Sequence, residues 1–208
     1  MMKEQDYERL LNIKTSGKEK LLNYSFHYNV YEPTSYDALA LLTEEYNIHS
    51  EDSIIDFGCG KGRLNFYLNY FFGATVTGIE MNKYYFEEAI ANKKSYLQNH
   101  KTKENKINFL CCLAEEYEIK PSDNKFYFFN PFSLSIFIKV LGNIFDSLDN
   151  HERPIDLILY YPSEDFIDYL ENSTAFNLIK EIKLKALYKT DPNQRFLIYH
   201  LNYNNPIH

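Results

Sequence analysis

The sequence predicts an α/β fold, in which a mostly parallel sheet carries helices on both faces and ends in an antiparallel hairpin. Five short apolar runs alternate with polar and amphipathic stretches, as expected of repeated strand–helix–strand units. The first run leads directly into a glycine-rich turn and an amphipathic segment. Two further apolar runs close the chain with no predicted helix between them, so we expect them to pair antiparallel at the sheet edge.

Periodicity and turn residues place the predicted elements along the chain. Residues 6–23 are polar and helix-prone with a break at Ser16 and Gly17, and a helix is predicted over 35–46. Strands are predicted at 53–57, 74–80, 107–111, 125–129 and 156–160, and helices at 63–72, 82–100 and 133–148. The closing hairpin is predicted from strands at 176–187 and 195–201.

Length and composition are those of one ordinary globular domain. The chain has 208 residues, 45% of them hydrophobic and 25% charged, and no repeat or low-complexity segment divides it. We assign residues 1–50 to an N-terminal helical extension with a possible active-site lid, and residues 51–208 to the main domain. The formal net charge of −7 disfavours a nucleic-acid partner, because no global positive field attracts a polyanion.

Cysteine usage and hydropathy predict a cytoplasmic protein without a metal site. Cys59, Cys111 and Cys112 are odd in number and two are adjacent, which fits neither a disulfide framework nor a zinc site. The charged start of the chain leads into no apolar run, so we expect no signal peptide. The apolar run at 126–145 contains Pro131 and Lys139, so we expect a strand, a turn and a helix rather than a membrane span.

The turn at 58–62, which reads Gly-Cys-Gly-Lys-Gly, predicts a nucleoside-binding site. Its glycines allow a sharp turn close to a ligand, and the helix that follows presents unpaired N–H groups. Asp56 lies two residues before the first glycine, and Glu80 ends the next strand, 20 residues after Gly60. A carboxylate at that position can accept both hydroxyls of a ribose.

Two common nucleotide-binding patterns do not fit this turn. The dinucleotide fingerprint needs its third glycine where Arg63 stands, and a phosphate-binding loop needs Ser or Thr after Lys61. The stretch at 56–62 instead resembles motif I of the class I S-adenosylmethionine-dependent methyltransferases. The resemblance covers roughly residues 54–201, including the hairpin that closes the seven-stranded sheet of that family, and it implies that residues 51–208 form the cofactor-binding domain.

The resemblance also implies S-adenosyl-L-methionine as the cofactor, and it assigns contacts at matching positions. The glycine turn matches the one that passes the methionine part, Asp56 the acid near the amino group, and Glu80 the acid that binds the ribose. The third motif differs from the family's Asp-Ala, so backbone atoms of Leu113 and Ala114, or the side chain of Glu115, are expected at the adenine. The implied cofactor-binding residues are Asp56, Gly58, Cys59, Gly60, Gly62, Glu80, Leu113, Ala114 and Thr34.

The segment after the fourth predicted strand resembles a shortened form of the (Asn/Asp)-Pro-Pro-aromatic motif of amino-methyltransferases. The resemblance makes Asn130 an acceptor for the hydrogens of a substrate amino group, and Phe132 a ring that stacks on a planar substrate. The alternative is structural, with Pro131 ending the strand and Ser133 capping the next helix.

A Tyr-x-Pro-Thr-x-Tyr stretch lies upstream, at residues 31–36. With the Gly-Cys-Gly-Lys-Gly-Arg and Asn-Pro-Phe motifs, it resembles a set of small bacterial methyltransferases. We interpret Tyr31, Thr34 and Tyr36 as a lid over the cofactor and count Tyr31 among the catalytic candidates. The alternative is an aromatic segment that packs on the sheet.

The sequence therefore predicts an S-adenosylmethionine-dependent methyltransferase that transfers a methyl group to a nitrogen or oxygen of an unidentified acceptor. A small molecule or a protein is the favoured acceptor. One alternative is a non-enzymatic sensor or scaffold that binds the same cofactor. A less favoured alternative is an NAD-dependent oxidoreductase, which the misplaced third glycine and the closing hairpin argue against.

Overall fold

The computed structural model describes residues 2–17 and 32–201, and within them a seven-stranded sheet forms the centre of the molecule. Five strands are parallel, and the last strand runs antiparallel to both of its neighbours. The strand order is β3-β2-β1-β4-β5-β7-β6. The strands are β1 (Ser53–Phe57), β2 (Thr75–Ile79), β3 (Ile107–Leu110), β4 (Lys125–Phe129), β5 (Ile155–Tyr160), β6 (Asn177–Lys183) and β7 (Arg195–Leu201).

Helices connect the parallel strands and cover the two faces of the sheet. They are α1 (Glu4–Leu11), α2 (Tyr36–Glu45), α3 (Arg63–Phe72), α4 (Lys83–Asn99), α5 (Leu134–Asn150), α6 (Glu164–Ser173) and the single turn α7 (Lys185–Tyr188). Capping residues set several boundaries. The side chains of Ser35, Asn82 and Ser163 accept from backbone N–H groups in the first turns of α2, α4 and α6.

The predicted fold class is confirmed, but two details of the C-terminal part were wrong. Helix α6 was not predicted, although Ser163 caps it and Phe166 and Leu170 form its buried face at the spacing of one helical turn. The predicted strand at 176–187 is too long, because β6 ends at Lys183 and α7 follows it. The hairpin prediction itself is confirmed, since β6 pairs antiparallel with β7 and lies at the edge of the sheet.

Most aromatic side chains pack in the core, on both faces of the sheet. One face holds stacked phenylalanines, such as Phe57 against Phe128 and Phe137 against Phe166. The other face holds Tyr36 and further rings packed against α1, α2 and α3. In the described part of the chain, no helix is both long and apolar enough to cross a membrane.

The strand order fixes where a ligand can bind. From β1 the chain continues on one side through β2 and β3, and it then returns to place β4 and β5 on the other side. The connections on the two sides of β1 therefore diverge and leave a crevice outside the carboxyl ends of β1 and β4, which is where open α/β sheets bind ligands.

Candidate functional site

The glycine turn lies at this crevice, at the carboxyl end of β1. Gly58 has a φ angle of 77°, and a Cβ atom there would lie 2.7 Å from Cβ of Pro131. Gly62 has a φ angle of 85°, and its added Cβ would lie 2.6 Å from Cζ of Phe109. Both positions combine a left-handed backbone with a close neighbour, so only glycine fits. The first contact also joins the turn directly to the Asn-Pro-Phe segment after β4.

Glu80 connects the turn to the end of β2. Its Oε2 accepts a hydrogen bond of 2.9 Å from the N–H of Gly60, and its Oε1 accepts one of 2.7 Å from the N–H of Asn82. Burial raises the pKa of Glu80 even though these backbone donors act in the opposite direction. The sequence placed Glu80 beside the turn, and the structure brings the two together.

Asp56 lies beneath the turn, within β1, and is only 4% exposed. Burial, and to a lesser degree the negative charge of Glu80, raises its pKa to about 8. With the amide of Asn65 oriented for hydrogen bonding, its nitrogen donates to Asp56 Oδ2 at 2.8 Å and its oxygen accepts from the N–H of Gly78 at 3.1 Å. The expected contact between Asp56 and a cofactor amino group stays a prediction.

The ends of β4 and β5 form the other side of the crevice. Asn130 and Tyr161, which follow these strands, have positive φ angles of 38° and 52°. Such backbone strain in residues other than glycine is concentrated at functional sites. Ser133 occupies the N-cap position of α5, as the structural alternative expected, although its side chain makes no capping hydrogen bond.

Phe132, the predicted stacking ring, lies in the core. It is 3% exposed and packs edge-to-face against Phe57 and Phe128, with ring centroids 6.5 and 6.1 Å away. This position supports a packing role for the ring. Among the three catalytic candidates, Asn130 lies at the crevice and Phe132 lies in the core. Tyr31 lies outside the described residues.

The segment after β3 contains the residues expected at the adenine. Ala114 is 5% exposed and Leu113 is half-buried, with its N–H donating to Glu116 Oε2 at 3.3 Å. A cavity of about 380 Å³ lies beside this segment. Its lining consists of Leu110, Cys112 and residues 116–121. The structure thus places an open cavity next to the third motif without assigning its ligand.

Thr34 and Tyr36 are buried anchors in this structure. Thr34 Oγ1 and Tyr127 Oη share a buried hydrogen bond of 2.7 Å. The ring of Tyr36 stacks on that of Tyr7, with centroids 4.4 Å apart and planes inclined by 7°. Tyr36 therefore packs against α1, whereas the alternative to a lid was packing on the sheet, and the lid itself stays a prediction.

Cys59 contributes small size rather than reactivity to the turn. Its side chain is buried and would lie 2.6 Å from a Cβ atom added to Gly78. Burial, together with Asp56 and Glu80, holds the pKa of the Cys59 thiol well above its usual range, which disfavours the nucleophilic thiolate. Among residues 2–17 and 32–201, no group of His, Cys, Asp and Glu side chains could hold a metal ion.

Sequence reasoning missed two residues next to the turn, Asn65 and Arg63. Both are buried on α3, where a helical pattern alone predicts polar positions on the exposed face. The sequence signal that could have identified them is their position in the first turn of α3, directly after the glycines. The hydrogen-bond and ion-pair partners of Arg63 lie 29 or more residues away in sequence and could not be inferred from it.

Comparisons with known proteins agree with this geometry. The sequence model of a family described as a methyltransferase domain matches residues 34–125, which include the glycine turn and Glu80. An RNA methyltransferase from Salinibacter ruber, solved with S-adenosyl-L-homocysteine, has a TM-score of 0.56 and 15% identity, over 85% of this chain and 98% of its own. The fold is that of the class I methyltransferases.

Other proteins with the methyltransferase fold differ in what they do. Geranyl diphosphate C-methyltransferase from Streptomyces coelicolor A3(2) has a TM-score of 0.53 and 10% identity, over 80% of this chain and 78% of its own. The [4+2]-cyclase SpnF has a TM-score of 0.58 and 12% identity, over 86% of this chain and 87% of its own. Among curated proteins, no sequence matches this one. The fold alone therefore does not identify an acceptor.

Proposed function

We propose that this protein is an S-adenosylmethionine-dependent methyltransferase acting on a nitrogen or oxygen atom of a still unidentified acceptor. One observation carries the proposal: the glycine turn, Glu80 and the segment that follows β4 meet at the crevice between β1 and β4. The match to a methyltransferase-domain model supports the same assignment. S-adenosylmethionine is the cofactor that the fold and its S-adenosyl-L-homocysteine-bound neighbours support.

The residues of the crevice fit this cofactor. A carboxylate offers about four lone-pair positions, so Glu80 can accept ribose hydroxyls in addition to its two backbone N–H groups. The buried acids Asp56 and Glu80 lie at the carboxyl ends of neighbouring strands, where a positively charged ligand would favour their ionised forms. The glycine turn lets the backbone approach such a ligand closely.

The protein's share of the reaction is positioning and water exclusion. The cofactor supplies a methyl group on a positively charged sulfur, which a nucleophile must approach in line. We assign to Asn130 the orientation of the acceptor, because it directly follows β4, next to the Pro131 that contacts the turn, and its side-chain oxygen can accept a substrate N–H or O–H. Phe132 fixes this segment in the core.

The acceptor that we favour is a small molecule or a protein. The formal net charge of −7 opposes a long polyanion. Proteins with the same fold include an RNA methyltransferase and a methyltransferase of geranyl diphosphate, so the fold does not choose between acceptor classes. A cytoplasmic location remains part of this proposal.

A labelled methyl group tests the transfer step. The purified protein and its Asn130→Ala variant are incubated with a small-molecule and protein extract and with S-adenosylmethionine that carries an isotopic methyl label. We expect a labelled product with the parent protein and at least tenfold less with the variant, because an orienting residue acts on the transfer step. Both proteins should bind S-adenosyl-L-homocysteine equally.

Failure to form any labelled product, with S-adenosyl-L-homocysteine still bound, would contradict methyl transfer. It would favour the alternative of a non-enzymatic sensor or scaffold. The oxidoreductase alternative has less support, because buried Arg63 occupies the position of the third glycine of a dinucleotide-binding turn.

A further inference from the structure

Arg63 is a buried cation next to the glycine turn, and it is only 4% exposed. It is the first residue of α3 and follows Gly62 directly. A positive charge is unfavourable at the N-terminus of a helix, and a buried charge must be paired. Arg63 therefore needs partners, and its partners among the described residues come from the N-terminal extension.

The first group of partners lies in and after α1. Arg63 Nη2 is 2.5 Å from Glu4 Oε1 and 3.5 Å from Glu8 Oε1. Its Nε donates to Thr15 Oγ1 at 2.7 Å, and Nη2 lies 3.5 Å from Ser16 Oγ. Glu8 in turn accepts hydrogen bonds from the N–H groups of Thr15 and Ser16, at 2.7 and 2.9 Å.

The second group of partners lies just before and within α2. Arg63 Nη1 donates to the carbonyl oxygen of Thr34 at 3.4 Å, and its guanidinium carbon lies 4.6 Å from the ring centroid of Tyr36. Thr34 is itself bonded to Tyr127 on β4. The two groups are separated by 17 or more residues in sequence, and both contact the same guanidinium.

We propose that Arg63 is a positioning residue for the cofactor site, which fixes the N-terminal extension against the first turn of α3. Two separate segments meet at its planar head, residues 4–16 and residues 34–36, and its backbone directly follows the glycine turn. Cofactor binding to this turn then depends on α1, although α1 belongs to the N-terminal extension and not to the domain that contains the turn. The inference rests on the proposed cofactor.

Arg63→Lys tests the positioning role, because lysine keeps the charge but cannot donate along several fixed directions. The matched control is Arg153→Lys. Arg153 also donates to several oxygens, including those of Asp123 and His151, but it precedes β5 at the opposite end of the strands. The measurements are the melting temperature, its increase with saturating S-adenosyl-L-homocysteine, and the dissociation constant by calorimetry.

We expect both variants to melt at lower temperature but only Arg63→Lys to bind S-adenosyl-L-homocysteine more weakly, by about tenfold, with a smaller ligand-induced increase in melting temperature. A purely structural role predicts that neither variant changes the dissociation constant well below its melting temperature. A dissociation constant for Arg63→Lys within about twofold of the parent would overturn the inference.

A second pair of variants, with less disruptive substitutions, keeps the test decisive if Arg63→Lys does not fold. Glu4→Gln removes one charge next to Arg63 from a half-exposed side chain, and Glu45→Gln does the same next to Lys180. We expect about threefold weaker binding for Glu4→Gln and no change for Glu45→Gln. Equal binding by Glu4→Gln and the parent would overturn the inference alone, whereas a parent protein that does not bind would remove the proposed function as well.

Discussion

The two ends of the parallel strands hold buried charge in different ways. At the amino ends, Lys125 Nζ donates to Tyr46 Oη at 2.7 Å and to Asp156 Oδ2 at 2.9 Å, and it lies 3.7 Å from Asp52. His200 Nδ1 lies 2.7 Å from the other oxygen of Asp156. Burial alone would raise the pKa of Asp156, but these partners together lower it. In this network the buried charges of Lys125 and Asp156 are paired within the protein.

At the carboxyl ends, two acids are buried without such balance. Asp56 is 4% and Glu80 8% exposed, and within residues 2–17 and 32–201 neither forms an ion pair with a cation. The pKa of both carboxyls is raised. A protein optimised only for stability would not keep two buried acids without cationic partners there, and this difference fits the ligand that we propose at the carboxyl end.

The largest expected change in stability comes from a substitution at the amino ends of the parallel strands. Lys125→Met should lower the free energy of unfolding by roughly 3 to 5 kcal/mol, because it leaves Asp156 and Asp52 buried with less compensation. Urea unfolding measures this change, and calorimetry at low temperature should find S-adenosyl-L-homocysteine binding unchanged. A loss of stability below about 1 kcal/mol would mean that the network contributes no more than an exposed ion pair.

The next largest change in stability, together with weaker ligand binding, is expected from a substitution in the glycine turn. Gly58→Ala places a Cβ atom against Pro131 at a φ angle of 77°, so we expect a loss of roughly 1 to 3 kcal/mol in unfolding free energy together with weaker ligand binding. The control is Gly142→Ala in α5, where an added Cβ meets no atom within 4 Å. That variant should gain about 0.5 to 1 kcal/mol and bind unchanged. Unchanged ligand binding by Gly58→Ala would argue against a ligand at the turn.

A smaller effect appears in the pH dependence of stability, with opposite sign at the two ends. The folded-state pKa of Asp56 is raised from 3.8 to about 8, so its contribution to stability is present below about pH 4 and is lost as the pH rises to about 8. The pKa of Asp156 is lowered, so its contribution is present above about pH 4 and is lost as the pH falls.

Unfolding free energies measured between pH 3 and pH 9 separate these contributions. Asp56→Asn should reduce the loss of stability on the alkaline side, and Asp156→Asn should reduce the loss on the acid side. The same pH profile for the parent and Asp56→Asn would show that Asp56 does not take up a proton on folding.

The sheet and the cofactor turn could be predicted because their signals are local. Apolar runs of strand length, the glycines at 58–62 and the acid at position 80 are each read from a few neighbouring residues. The end of the chain was predicted less well, because Leu184 and Leu187 are apolar and made the strand seem longer than it is. Leu184 is the N-cap residue of α7, and Leu187 is an exposed residue within that turn. Local patterns do not reveal which apolar residues lack a covering layer.

The roles of individual side chains could be predicted only in part. The burial of Phe132, the pairing of Thr34 with Tyr127 and the partners of Arg63 depend on contacts between residues that are distant in sequence. In the sequence, Arg63 breaks a dinucleotide-binding glycine pattern and ends the Gly-Cys-Gly-Lys-Gly-Arg motif, and neither feature predicts its partners. Its buried position became visible once α1 and the residues that follow it were placed against α3.

The central claim is that the carboxyl ends of β1 and β2 bind S-adenosylmethionine, and calorimetry of the parent and Glu80→Ala tests it most directly. We expect the parent to bind S-adenosylmethionine or S-adenosyl-L-homocysteine in the micromolar range and not to bind NAD. Glu80→Ala should bind more weakly by roughly 1 to 3 kcal/mol, the cost of leaving polar partners unpaired. Binding of NAD in place of these ligands, or equal affinity of the parent and Glu80→Ala, would contradict the account.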